Sequence, residues 1–117
     1  MNLDKWKNIK DLVESKFGFK RYDQEEFELS ENDKGQMVLG EREIIEFEGP
    51  LGLIKLEFDI KPVILDKKVF GSKRIGGDNK SVYIYSEDEK NYKLRVYSFN
   101  NELNDWQEMD ADNLLDF

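Results

Sequence analysis

REIIEFEGPLGLIKLEFDIK (Arg42–Lys61) alternates apolar and charged residues on both sides of a Gly49-Pro50-Leu51-Gly52 turn. Pro and Gly stand where a type I turn accepts them. Folding the two arms about that turn sets Phe47 opposite Ile54, Ile45 opposite Leu56 and Glu43 opposite Phe58. The other parity sets Glu46 opposite Lys55 and Arg42 opposite Asp59. One face is mostly apolar and the other carries opposite charges, so the turn and the pattern specify one register. The stretch predicts an antiparallel hairpin that buries one face.

Upstream, Leu3, Trp6, Ile9, Leu12, Val13 and Phe17 recur at helical spacing. Asn2 or Asp4 caps the start and Gly18 follows the last periodic residue. An amphipathic helix packed on the sheet is expected. Phe27 and Leu29 then alternate with glutamates, and Ser30–Gln36 reads as a polar loop.

Downstream, the apolar parity switches between Ile60 and Val63, with Pro62 between them. Proline cannot donate to a central ladder, so an edge, a bulge or a sheet corner is expected there. Ser81–Phe99 reads as a second hairpin about Asp88-Glu89-Lys90. Val82 then faces Val96, Ile84 faces Leu94, Tyr83 faces Arg95 and Tyr85 faces Lys93. A short strand carries Trp106 and Met109. The expected fold is α+β: an N-terminal helix on a curved, mainly antiparallel sheet of about six strands, as a roll or partly closed barrel. Residues 1–109 read as a single domain and 110–117 as an acidic-hydrophobic tail.

The chain has 117 residues and a formal net charge of −8, and charged residues make up 38% of it. Fifteen aromatic residues (eight Phe, five Tyr, two Trp) separate it from disordered sequences, which are poor in rings. Cys and His are both absent. That excludes a disulfide framework, a Ser–His–Asp triad, a Cys–His pair and a His-ligated metal. No catalytic residue, metal ligand or cofactor site nominates itself. No apolar run reaches the ~20 residues of a membrane helix, and the opening residues are too charged for a signal-peptide core. A cytoplasmic location with no membrane contact is expected.

Charge is segregated along this acidic chain. Lys61–Lys80 holds six Lys/Arg and two Asp, a local +4, which leaves −12 for the rest. Within it, Gly71 and Gly76 have P-loop spacing, but Gly77-Asp78 replaces the Lys-Ser/Thr that a β-phosphate needs. The segment reads instead as a basic turn rich in Gly and Asn. Lys67, Lys68, Lys73, Arg74 and Lys80 are therefore candidate ligand-binding cations. Tyr83, Tyr85, Lys93, Arg95 and Tyr97 share one face of the expected second hairpin and complete the candidate surface. Rings interleaved with cations bind single-stranded nucleic acid by stacking and phosphate pairing; the same groups also make ordinary cation–π pairs on a sheet.

The tail EMDADNLLDF resembles the acidic C-terminal tips of bacterial single-stranded-DNA-binding proteins. It shares Met109-Asp110, a further acid at Asp112 and a terminal Phe117. It departs from them at Leu114-Leu115-Asp116, where the family has more acids and an Ile-Pro pair. The resemblance implies a partner-docking role for Asp110, Asp112 and Phe117. The bland reading has Leu114, Leu115 and Phe117 closing the core. EFEGPLG, LDKK and YSEDEK are similar to stretches of small uncharacterised bacterial proteins, a resemblance that brings no activity.

The sequence points first to a small non-enzymatic binding or adaptor protein that contacts a protein or an anionic ligand. Nucleic-acid binding is the alternative, opposed by the net charge because affinity rests on neutralising phosphates. A carboxylate-dependent enzyme is the third reading.

Overall fold

The computed structural model describes residues 1–50, 52–70 and 80–110, with the side chains of Phe70, Lys80 and Ser81 outside the description. Among the described residues there is one helix, α1 (Leu3–Lys16). Five strands follow: β1 (Arg21–Glu31), β2 (Met37–Gly49), β3 (Gly52–Phe70), β4 (Lys80–Asn100) and β5 (Asp105–Met109). The sheet order is β1-β2-β3-β4-β5, an antiparallel meander. The α+β class is as expected, but the described sheet has five strands, not about six.

The chain forms two compact units. The first comprises Met1–Glu25, Arg42–Asp59 and the described part of Tyr92–Phe117; the second comprises Glu26–Glu41 and the described part of Ile60–Asn91. Strands β1 to β4 contribute a segment to each.

In the first unit, Asn2 caps α1, its Oδ1 accepting from Lys5 N at 2.8 Å. Such a cap contributes about 1 kcal/mol. Gly18 ends the helix at φ +73°, donating its N–H to Val13 and Glu14 carbonyls. Trp6, Ile9 and Val13 are buried, while Leu3 and Leu12 stay exposed. The Trp6 ring stacks on Phe58 at 4.7 Å, and Phe58 in turn lies 5.9 Å from Tyr92. Ile45, Phe47, Ile54, Leu56 and Val96 complete a core with no solvent exposure. The predicted apolar hairpin face is thus the surface on which the helix packs.

The opposite parity is only partly as expected. Arg42 does grip Asp59, Nε to Oδ1 at 2.6 Å. Glu46 and Lys55, however, have other partners: Glu46 pairs with Arg21 at 3.1 Å, and Lys55 lies 3.9 Å from Glu57.

The second hairpin is not present. Residues 80–100 form one continuous strand, so the expected pairs of Tyr83 with Arg95 and Tyr85 with Lys93 do not form. Asp88-Glu89-Lys90 contains no glycine, and none of its residues takes a positive φ. Ser86 Oγ accepts from the N–H groups of Asp88 and Glu89 while the backbone stays extended. The reversal comes at Asn101–Asn104 instead. There Asn104 takes φ +52°, and Asn100 Oδ1 accepts from Glu102 N and Leu103 N. β5 then pairs with β4, Phe99 opposite Trp106 and Tyr97 opposite Glu108.

Pro62 lies within β3, the middle strand of five, which corrects the edge reading. In the second unit the sheet curves until β1 and β4, which are not neighbours in strand order, touch. Ser30 Oγ lies 2.6 Å from Tyr85 Oη, and Asn32 bridges Tyr83.

Candidate functional site

Alternation along β2, β3 and β4 turns Arg42, Lys55, Glu57, Asp59, Arg95 and Tyr97 away from the helix, onto the other face of the first unit. Carboxylates lie deepest there. The Asp59 side chain is 4% exposed and that of Glu57 16%, whereas Arg42 and Arg95 are about a quarter exposed. Asp59 accepts from Arg42 Nε and Nη2 and from Arg95 Nη2 at 2.8 Å. Arg95 also reaches Glu57 at 3.1 Å, and its own Nε is buried without a hydrogen-bond partner. The Asp59 hydrogen bond raises the Arg42 pKa against the opposing effect of burial. Each guanidinium is thereby fixed in place with its charge lying above a carboxylate floor.

Beside this network, Lys55 Nζ sits 4.9 Å from the Tyr97 ring and 4.7 Å from the Trp106 ring. Trp106 meets Phe99 edge-on at 5.3 Å. Burial raises the Tyr97 pKa, with carboxylates at Glu57, Glu108 and Asp59 assisting against Arg95. Glu25 also lies 3.4 Å from Arg42 Nη1, so Arg42, Lys55 and Arg95 are matched by Glu25, Glu57 and Asp59 within a −8 chain.

The candidate residues from the sequence divide between the two units. In the second, Lys67 and Lys68 are exposed on β3, and Lys67 Nζ lies 5.8 Å from the Tyr83 ring. Tyr83 and Tyr85 lie 6.2 Å apart, and Tyr85 is tied to Ser30. In the first, Lys93 is exposed, while Arg95 and Tyr97 belong to the cluster above. Lys73 and Arg74 lie outside the described residues, as do the Lys80 side chain, Asp112 and Phe117. Asp110 is exposed.

Sequence reasoning did not nominate Arg42, Lys55, Glu57, Asp59 or Trp106 as site residues. The Arg42–Asp59 pair was legible from the hairpin register. The approach of Lys55 to Tyr97 and Trp106 needed the β3-β4-β5 order, which the misplaced second hairpin concealed.

Among the described residues no three Asp or Glu are grouped to hold a metal ion, and no helix is long and apolar enough to cross a membrane. No known protein family, curated protein or solved structure matches this chain.

Proposed function

We propose that the chain is a small non-enzymatic binding module that engages an acidic segment of a partner protein through the Arg42–Lys55–Arg95 face. One observation carries this reading: the carboxylates of Asp59 and Glu57 are buried more deeply than the guanidiniums they hold. Buried anions fix the cations in place, so little side-chain entropy is lost when a second anion arrives. Tyr97 and Trp106 flank the cations with half-buried rings, the residue types that anchor protein interfaces. The acidic remainder of the surface repels anions, whereas on this face three fixed cations offset the carboxylates beside them.

The test is a titration of fluorescein-labelled hexaglutamate, read by anisotropy at low and physiological salt. Saturable binding that weakens with salt is the expected result, with affinity reduced several-fold by Lys55→Gln. Hexalysine and a single-stranded oligonucleotide serve as comparators. Binding of either one in place of hexaglutamate overturns the proposal, as does no binding at all.

A further inference from the structure

The second unit holds a cleft of about 400 Å³ next to the place where β1 meets β4. That volume lies within the range of small-molecule sites. Half-buried Val38, Pro62 and Ile84 supply apolar wall from β2, β3 and β4. Three strands that are distant in sequence therefore converge on one apolar surface.

Its polar margin is set by local bonds. Asn32 Oδ1 accepts from Lys34 N and Gln36 N, both at 2.9 Å, which fixes the β1–β2 turn. Ser86 Oγ fixes the other margin through the N–H groups of Asp88 and Glu89. These oxygens are committed to the backbone. The charged groups at the margin are Asp33, Lys34 and Glu87, all exposed, and they sum to −1. Neither Asp33 nor Glu87 makes an ion pair among the described residues.

We propose that this cleft binds a small organic cation with a hydrocarbon body. The chain of such a ligand packs on Val38, Pro62 and Ile84, and its ammonium group meets the Asp33 and Glu87 carboxylates. An apolar wall with a few polar groups at its margin gives affinity to the body and orientation to the head. A carboxylate-headed ligand of the same length meets net negative charge at the margin and is disfavoured.

The experiment is a ¹H–¹⁵N correlation titration of the full chain with hexylamine, and separately with hexanoate. Hexylamine is expected to move amide resonances saturably in Asn32–Val38 and Ile84–Glu87, with hexanoate without effect. The double variant Asp33→Asn/Glu87→Gln is expected to weaken hexylamine roughly tenfold while the spectrum stays dispersed. Ile84→Phe, which fills the cleft, is expected to abolish the shifts. Absence of saturable shifts overturns the proposal, and so does hexanoate binding as well as hexylamine. Unchanged hexylamine affinity in the double variant overturns it too, whether or not Ile84→Phe folds.

Discussion

The Arg42 guanidinium holds Asp59 with two nitrogens, Nε at 2.6 Å from Oδ1 and Nη2 at 3.3 Å from Oδ2. Asp59 is 3% exposed and also accepts from Arg95, so one buried carboxylate answers two cations. Asp59→Ala removes the carboxylate shared by the two guanidiniums and leaves Arg42 with Glu25 and Arg95 with Glu57. The expected loss is about 3 kcal/mol, the low end for a broken buried pair because both arginines keep some water. Urea denaturation measures it. An Arg42→Met/Asp59→Leu double variant is expected to recover only part of the loss, since it removes the Arg42 charge but leaves Arg95 with Glu57 alone.

Gly40 lies under the Phe27 ring: a Cβ at position 40 would stand 2.5 Å from Phe27 Cζ. Lys61 Nζ lies 5.7 Å from the same ring, so the ring is confined from two sides. Gly40→Ala is expected to cost about 1 kcal/mol, because the ring must tilt away. Combined with Phe27→Ala, which removes the clash, the glycine change becomes nearly neutral. Strong non-additivity in thermal or urea melts checks the arrangement.

Legibility in the sequence followed how many independent signals agreed on each element. At Arg42–Lys61 the turn residues, the apolar alternation and the charge pairing all named one register, and the buried set Ile45, Phe47, Ile54, Leu56 and Phe58 came out as read. Residues 80–100 carried alternation alone. A period of two is the same for one long strand as for two short ones, so only turn chemistry separates them. The charged run Glu87–Asn91 looked like a loop, yet nothing in it takes a left-handed backbone. The actual reversal used Asn104, an ordinary asparagine in a run with no glycine. The site suffered for the same reason. Arg95 was nominated as facing Tyr83 and Tyr97 as sharing that face, whereas their neighbours are Lys55, Glu57 and Asp59 on β3.

That reversal can be tested directly. Asn104 at φ +52° occupies the left-handed region, which asparagine tolerates and β-branched residues do not. Asn104→Val is expected to destabilise the β4–β5 hairpin by about 1–2 kcal/mol, and Asn104→Gly to be neutral or slightly stabilising. Because Trp106 sits in β5 against Phe99 and Lys55, its solvent quenching by iodide reports the hairpin. Quenching is expected to rise in the valine variant only.

Glu43 gathers three donors at the helix–sheet boundary: Trp6 Nε1, Lys10 Nζ at 3.0 Å and Tyr22 Oη at 2.5 Å. Burial is the largest single influence on its carboxyl group and pushes the pKa up. The hydrogen bonds from Tyr22, Trp6 and Lys10 together outweigh burial and hold the pKa below its ordinary value of 4.5. A folded-state pKa below the unfolded one contributes stability that is fully present above the unfolded value. That contribution is lost as pH falls through the folded value. Helix docking is therefore expected to weaken below about pH 4.5, which urea midpoints from neutral pH downward would follow through the emission of Trp6 in a Trp106→Phe background. Glu43→Gln removes the titrating group and keeps an acceptor for the indole. It is expected to lower stability at neutral pH and to flatten the acid limb of the stability curve. A variant whose acid limb is as steep as the parent's would assign that loss to other carboxylates.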